Sequence, residues 1–456
     1  MKNGEYLKML LLHFLIGFSI FIYRPLGKLY VLGALAYFLF IVLQNKNKNN
    51  EALMGAAYIA GAEVFFRMIE AAPFYETGKY SVILFLIIGM FFKGTSSRTM
   101  PYWAYLLILV PGIVVAASTW GYEYDFRKQV AFNLSGPVAL GVSAVYCYYK
   151  KIEKEDYQKV LLMLLMPLLS QMFYLYLYTP NMRDVAVNLQ ANYAATAGYG
   201  PNQISTVFGL GMFILASRFF TIRNNFINSI DLVLLVMISY RALMTFSRGG
   251  VLAGIICIGA FLFVFYSKKQ FRDRGGIKRK ILLFGAAGIF IWGFSLFQSG
   301  GMLDNRYTNR DAAGRLKDDI TTGRVELVET ELEGFYYNPV LGIGVGKGKE
   351  MRSQETGMET ASHNEISRLL SEHGMLGVVA VVILIFVPVI FWTKFKNNYY
   401  FLAFLAFWFL TINHSAMRIA LPAFVYGLAL LYIVDDKKRP RNKKNLEAKT
   451  AVTAIE

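Results

Sequence analysis

The chain has 456 residues, of which 55% are hydrophobic and 17% are charged, and its mean hydropathy is +0.41. A soluble domain carries roughly 25% charged residues, so this composition excludes an ordinary soluble protein and predicts a membrane protein. The net charge of +17 would fit a nucleic-acid-binding protein if the basic residues covered one soluble surface, but they follow alternate loops instead.

Apolar stretches recur along the whole chain, each about 17–22 residues long and therefore able to cross a bilayer as a helix. The first has basic residues ahead of it and no small-x-small cleavage site, which predicts an uncleaved first helix. The stretch that fits least well is 53–70, because it contains Glu63, Arg67 and Glu70. The fold class is therefore predicted to be all-α, a polytopic integral membrane protein with about fourteen transmembrane helices, within a range of about 12–14. The stretches lie near 6–23, 27–43, 53–70, 78–93, 102–118, 128–148, 158–178, 203–220, 228–246, 249–267, 278–298, 374–392, 398–413 and 418–434.

The loops between these stretches differ in charge, and this difference predicts the orientation. Segments such as "YSKKQFRDRGGIKRK" and the tail "DDKKRPRNKK" fall on one side, whereas the short loops on the other side contain far fewer Lys and Arg. The positive-inside rule then places both the N- and C-termini in the cytoplasm. The charge surplus is explained by anionic membrane lipids, so no nucleic-acid partner is expected.

The chain divides into four parts on this interpretation. Residues 1–298 contain the N-terminal transmembrane helices, and 299–373 form a polar loop of about 75 residues on the outer face. Residues 374–434 contain the last three transmembrane helices. The basic tail, 435–456, is predicted to be cytoplasmic and disordered.

Within the polar loop, the stretch "ASHNEISRLLSEHG" at 361–374 resembles a capping box, with Ser362 as N-cap and Glu365 three residues later. His363 would then occupy the first helical turn, where the positive end of the helix dipole lowers the imidazole pKa and attracts phosphate. The alternative is a surface histidine beside an ordinary helix start.

A second polar stretch, 321–348, predicts a helix that begins at Arg324 after Gly323. Glycines follow at 342, 344, 346 and 348, in neither the Walker nor the dinucleotide-binding pattern. They fit either a flexible link between two short helices or a close approach of the backbone to a ligand.

Further polar residues lie where apolar stretches end. Arg248, in "TFSRGGVLAG", lies between two spans, and Arg241 lies about two turns earlier inside the preceding span. An intramembrane arginine is costly, so Arg241 needs either a ligand or an ion-pair partner, for which Glu63 is one candidate. Arg248 could instead extend to the membrane surface. Asn202, in "GYGPNQIST", either starts the next helix or supports a site.

Two arginines near a helix N-terminus suit a diphosphate, because guanidinium groups bind phosphate oxygens in pairs and stabilise a leaving group that gains negative charge. A neutral histidine could accept the proton of an acceptor hydroxyl. The pattern predicts an outward-facing glycosyl transferase with a lipid diphosphate donor. No cofactor or metal is expected, because Asp318, Asp319 and the "EYD" at 123–125 are the only promising metal ligands.

These motifs resemble the O-antigen ligase and Wzy polymerase superfamily of bacterial envelope proteins. The resemblance rests on "SRGG" at 247–250, "GR" at 323–324, "NPVLGIGVG" at 338–346, "HNEISRLLSEHGMLG" at 363–377 and, more weakly, "GPN" at 200–202. Familiar ligases have about twelve spans, whereas this chain has about fourteen predicted ones.

The resemblance implies glycan transfer from undecaprenyl diphosphate, without a metal and with inversion, on the periplasmic face of the bacterial inner membrane. Arg248 and Arg324 would bind the donor diphosphate, with Arg241 as a further candidate, and His363 would activate the acceptor hydroxyl. Asn364, Glu372 and Asn202 are the expected supporting residues.

The resemblance does not identify the acceptor. The acceptor would be lipid A core for a ligase, a growing glycan for a polymerase, or a protein for an O-oligosaccharyltransferase. A ligase is the first prediction. Two other classes remain. One is a transporter or flippase of polyprenyl-linked glycans, although transporter sites usually lie at mid-membrane on broken helices. The other is an envelope-assembly scaffold, which would need neither His363 nor the arginines.

Overall fold

The computed structural model describes residues 3–119, 125–179, 181, 192–268, 274–311, 314–316, 324–356, 362–396 and 398–434. These residues are predominantly helical. The predicted disordered tail, 435–456, lies outside them. The helices are α1 (Asn3–Ile22), α2 (Leu26–Asn45), α3 (Glu51–Met68), α4 (Thr77–Lys93), α5 (Met100–Ile108), α6 (Val110–Thr119), α7 (Phe126–Cys147), α8 (Lys154–Tyr178), α9 (Pro201–Thr221), α10 (Asn225–Met244), α11 (Arg248–Lys268), α12 (Arg274–Gln298), α13 (Met302–Tyr307), α14 (Arg324–Tyr337), α15 (Lys347–Thr356), α16 (Glu365–His373), α17 (Met375–Lys394), α18 (Phe401–Ser415) and α19 (Ala420–Ala429).

Each of the fourteen predicted stretches contains a helix, except that 102–118 forms two, α5 and α6, and 418–434 is helical only over Ala420–Ala429. The break falls at Leu109, two residues before Pro111, because a proline lacks the backbone N–H and its ring displaces the preceding turn. Among the described residues, ten helical segments are long and apolar enough to cross a membrane. They are Asn3–Ile22, Leu26–Asn45, Ser97–Thr119, Phe126–Cys147, Lys154–Tyr178, Pro201–Thr221, Asn225–Met244, Arg248–Lys268, Lys278–Gln298 and Met375–Lys394.

The all-α polytopic fold is therefore confirmed, whereas the count of fourteen spans is not. Helix α3 carries three charged residues, α4 has 17 residues, α18 has 15 and α19 has 10. One small parallel ladder supplements the helices, between β1 (Lys151–Glu153) and β2 (Tyr432–Val434).

Helix α9 is buried along nearly its whole length and packs closely on α11. Glycines make this contact possible, because a Cβ on Gly209 would lie 2.1 Å from the carbonyl oxygen of Gly250. A Cβ on Gly250 would in turn lie 2.3 Å from the carbonyl oxygen of Ser205. By contrast, α12 exposes large apolar side chains such as Phe290 over most of its surface, as expected for a helix at the lipid boundary.

A cluster of buried charges connects the N-terminal helices to the segment between α18 and α19. Glu63 forms an ion pair with Arg67 and accepts a hydrogen bond from the backbone N–H of Ala420. The Arg67 guanidinium also donates to the carbonyl oxygen of Arg418 at 3.0 Å. Lys79 and Glu76 pair at 2.6 Å beside them. The predicted pairing of Glu63 with Arg241 is therefore wrong, since Arg67, one turn along the same helix, takes that place.

We expect the substitution Arg67→Met to destabilise the protein by about 3–5 kcal/mol, because it leaves the Glu63 carboxylate buried without its partner. The measurement is thermal unfolding of the detergent-purified protein. The matched control is Lys159→Met, which removes the exposed ion pair with Asp156 and should change stability by less than about 0.5 kcal/mol. Equal unfolding temperatures for the two variants would contradict a stabilising role of the buried cluster.

Candidate active site

A polar cavity of about 490 Å³ lies at one end of the helix bundle, where α9, α11 and α14 begin and α18 ends. Among the described residues, its polar lining comes from six separate segments, most of them helix ends, short helices or adjoining turns. The polar residues of the lining are Asn202, Ser247, Arg248, Arg306, Arg324, Glu329, Glu331, His363, Asn364, Asn413 and His414.

Three arginines converge on this cavity. Arg248 and Arg324 are the first residues of α11 and α14, and Arg306 belongs to α13. Burial and the neighbouring Arg248 charge lower the pKa of Arg324, and burial together with Arg248 and Arg324 lowers the pKa of Arg306. Among the described residues, none of the three forms an ion pair with a carboxylate. Glu329 and Glu331 also line the cavity, but no ion pair joins either of them to these arginines among the described residues, so an anion would stabilise the arginine charges.

Neutral acceptors hold two of these arginines in place. The Arg306 Nε atom donates to the carbonyl oxygen of Phe246 at 3.0 Å, and Phe246 has a left-handed φ of 53° in the turn before α11. The Arg324 Nη1 atom donates to His414 Nδ1 at 2.9 Å. The sequence prediction missed both Arg306 and His414. The motifs "SRGG" and "GR" identified Arg248 and Arg324 in the sequence, whereas the stretches around Arg306 and His414, "DNRY" and "NHS", match no motif.

His363 lines the cavity, but its position relative to helix α16 differs from the prediction. The N-cap of α16 is Asn364, whose Oδ1 accepts hydrogen bonds from the backbone N–H groups of Ile366 and Ser367 at 2.9 and 3.2 Å. Ser362 is not the N-cap, because its hydroxyl bonds the carbonyl oxygen of Asn364 instead. His363 therefore precedes the helix and does not lie in its first turn.

The predicted capping box fails because the Glu365 carboxylate is used elsewhere. It pairs with the buried Arg368, and its Oε2 atom accepts a hydrogen bond from the backbone N–H of Met417 at 3.0 Å. The segment that carries His363 is fixed to the same neighbour, since the backbone N–H of Ala416 donates to the His363 carbonyl oxygen at 3.1 Å.

The pKa of His363 is lowered to about 4, first by burial and then by the charges of Arg418 and Arg324. The imidazole is therefore neutral at pH 7 and able to accept a proton. The predicted direction of the shift agrees with this value, but the cause is burial and arginine charge, not the helix dipole.

The remaining predicted residues divide into those at the cavity and those away from it. Asn202 lines the cavity, and its Oδ1 accepts a hydrogen bond from the Ser247 hydroxyl at 2.7 Å, which joins α9 to the turn before Arg248. Arg241 does not line it, because its guanidinium bonds the carbonyl oxygen of Thr179 at 2.7 Å and covers the ring of Tyr176.

Glu372 also lies outside the polar cavity. Its carboxylate accepts hydrogen bonds from Arg368 at 2.8 Å and from the backbone N–H of Gly346 at 2.9 Å. It therefore anchors the glycine-rich segment and touches none of the three arginines.

The alternate glycines approach other parts of the protein. Gly342, Gly344 and Gly346 have left-handed φ angles of 74°, 93° and 81°. A Cβ on Gly344 would lie 2.7 Å from the backbone nitrogen of Ala116, and the N–H of Val345 donates to the carbonyl oxygen of Gly112. The segment is thus bonded to α6 and α16, so the predicted flexible link does not describe these three residues, whereas the close approach of the backbone to a ligand stays a prediction.

A second, apolar cavity of about 180 Å³ lies between α9, α10, α11 and α12. Aliphatic and aromatic side chains form nearly all of its surface. Tyr307 lines it, and the preceding residue, Arg306, lines the polar cavity.

Among the described residues, no group of three or more His, Cys, Asp or Glu side chains is placed to hold a metal ion. Asp318, Asp319 and most of "EYD" lie outside the described residues, and Asp125 caps α7 by accepting a hydrogen bond from the N–H of Lys128.

Comparison with known families agrees with the motifs. Residues 233–382, about a third of the chain, match the model of the family described as O-antigen ligase. This match confirms the resemblance to the O-antigen ligase and Wzy polymerase superfamily, and it supports a membrane enzyme of glycosyl transfer in general. The matched range includes the three cavity arginines and His363, and it ends before His414. No curated protein matches the chain.

We expect His363 to titrate near pH 4, well below the ordinary value of about 6.5. Histidine-selective NMR, with the signal assigned by its loss in His363→Asn, measures this directly. The variant Arg418→Gln should raise the His363 pKa, because it removes the nearby positive charge that lowers it most. An unchanged titration in Arg418→Gln would contradict the electrostatic part of this explanation, and titration near 6.5 in the unmodified protein would contradict burial.

Proposed function

We propose that this protein transfers a glycan from undecaprenyl diphosphate to a hydroxyl group of an acceptor, most specifically as an O-antigen ligase that uses lipid A core. The observation that carries the proposal is the convergence of Arg248, Arg306, Arg324 and a neutral His363 on one cavity. The reaction takes place, on this proposal, at the periplasmic face of the inner membrane, with both chain termini in the cytoplasm.

The arginines bind the diphosphate of the donor. Guanidinium groups bind phosphate oxygens in a bidentate manner, and three of them around one cavity suit two adjacent phosphates. When the bond between the sugar and the diphosphate breaks, negative charge grows on the leaving group, and fixed positive charges stabilise that change without rearrangement. The protein's own side chains thus supply the charge stabilisation that the proposed reaction needs.

His363 acts as the general base. It accepts the proton of the acceptor hydroxyl while that oxygen attacks the anomeric carbon from the side opposite the diphosphate. The carbon–oxygen bond to the diphosphate breaks in the same step, so the configuration at the anomeric carbon inverts. The low pKa of His363 keeps the ring unprotonated at physiological pH, and it also makes the ring a weaker base than a histidine with a pKa near 7.

The apolar cavity supports a lipid-linked donor. Tyr307 lines it and follows Arg306 of the polar cavity in the sequence, so on this proposal the first units of a polyprenyl chain enter the apolar cavity while the diphosphate stays with the arginines. A transporter fits this arrangement less well, since the arginines lie at the ends of complete helices and transporter sites usually lie at broken helices near the membrane centre.

We expect His363→Asn to reduce glycan transfer by about 10²–10⁴-fold, because the base is lost, while affinity for the donor stays nearly the same. The assay uses the purified protein, a lipid-linked glycan and purified lipid A core as acceptor, with donor affinity measured separately. Transfer at the normal rate in this variant would refute the assigned role of His363.

The charge-preserving substitutions Arg248→Lys and Arg324→Lys should each weaken donor binding by about tenfold, because lysine cannot form the bidentate contact. The matched control is Arg315→Lys, since Arg315 is 81% exposed and lies outside the cavity. Unchanged affinity in both cavity variants would exclude the diphosphate assignment.

Deletion of the gene identifies the acceptor. If the protein is a ligase, the deletion strain should contain lipid A core without attached glycan, which mass analysis of the envelope glycans would detect. Single repeat units on the core would instead indicate a Wzy-type polymerase, and a normal lipopolysaccharide with missing protein glycans would indicate an O-oligosaccharyltransferase. Accumulation of unprocessed donor on the cytoplasmic leaflet would indicate a flippase.

A further inference from the structure

His414 lies in the last turn of α18 and contacts the arginine that begins α14. Its Nδ1 atom is 2.9 Å from the Arg324 Nη1 atom. A guanidinium group can only donate, so Nδ1 must accept and the ring proton belongs on Nε2. The Nε2 atom is buried and has no hydrogen-bond partner among the described residues.

The ring of His414 rests on the backbone of Gly249. A Cβ at position 249 would lie 2.4 Å from His414 Cδ2 and 2.5 Å from Nε2, which is closer than any real contact. The next glycine has a different neighbour, because a Cβ at position 250 would strike the backbone of α9. The first glycine of "SRGG" therefore makes room for the imidazole, and the second makes room for a helix.

Arg324 needs such a contact because two other positive charges lie near it. The charge of Arg248 lowers the pKa of Arg324, and the charge of Arg324 lowers the pKa of Arg306. Repulsion favours conformations that move the Arg324 guanidinium away from the other two. A carboxylate would hold it, but would also cancel the charge that a diphosphate requires. A neutral imidazole holds the group and leaves its full charge in the cavity.

We propose that His414 is a positioning residue that orients Arg324 toward the donor diphosphate, and that Gly249 is required to admit its ring. This inference rests on the proposed function and extends it to a residue outside the matched family range. His414 is not a second base, since one nitrogen faces Arg324 and the other is buried against Gly249.

The test is binding of undecaprenyl diphosphate to the purified full chain in nanodiscs. His414→Leu removes the acceptor and should weaken binding about tenfold, whereas His414→Asn should stay within about threefold of the unmodified protein, because the amide oxygen can replace Nδ1. In an Arg324→Ala background, His414→Leu should have no further effect. The control is His13→Leu, which removes a buried imidazole outside the cavity and should leave affinity unchanged.

The second arm tests Gly249. The variant Gly249→Ala should weaken binding about as much as His414→Leu, and should cost little more when combined with His414→Ala, because the displaced ring is then absent. Thermal unfolding identifies variants that do not fold, and His414→Asn then decides the outcome.

Several results would overturn the inference. They are normal affinity in His414→Leu, no rescue by His414→Asn, or full additivity with Arg324→Ala. If these variants behave normally while Arg324→Lys loses affinity, only the role of His414 fails. If the unmodified protein does not bind undecaprenyl diphosphate, the proposed function fails together with the inference.

Discussion

Mutual repulsion among three guanidinium groups is the constraint on which the candidate site depends. Arg248, Arg306 and Arg324 come from different parts of the chain, and among the described residues no carboxylate pairs with them. Folding therefore has to hold like charges together by other means. It does so with uncharged acceptors, the Phe246 carbonyl oxygen and the His414 ring. Charge held in this way is available to an anionic ligand, which is the condition for stabilising a diphosphate leaving group.

Because the arginines repel one another, they stay together only if the polar segment, 299–373, is firmly attached to the membrane helices. Glycines with left-handed φ angles let the segment around Gly344 bond to the backbone of α6 and α16. Arg368 is buried between Glu365 and Glu372 and stabilises α16. Through Met417 and Ala420 this cluster reaches Glu63 in α3, so His363 is connected to the centre of the bundle. An imidazole with so many fixed neighbours keeps its orientation relative to the arginines.

Much of the fold could be predicted from the sequence, because apolar length and periodicity locate helices directly. The site was predicted only in part. Arg248, Arg324 and His363 are marked by glycines and a helix start, but Arg306 and His414 stand in unremarkable local sequence. The prediction of Ser362 as the N-cap of α16 was wrong because Ser362 and Asn364 are both good N-cap residues, and the tertiary contacts of Glu365 decide between them. Arg241 was a further candidate beside Arg248, but it lies in the last turn of α10 and binds the carbonyl oxygen of Thr179, whereas Arg248 begins α11 after the intervening turn.

On the proposed function, the two faces of α13 would give a bound donor a direction. Arg306 and Tyr307 are consecutive in α13, and consecutive helical residues point roughly 100° apart, so one turn of helix faces both a charged and an apolar space. A diphosphate at Arg306 would then have its lipid chain toward α10 and α12. Its sugar must extend the other way, along the wall that contains His363 and Asn364. In the proposed reaction, the acceptor hydroxyl therefore approaches from the side of α16, where the neutral imidazole lies ready to take its proton.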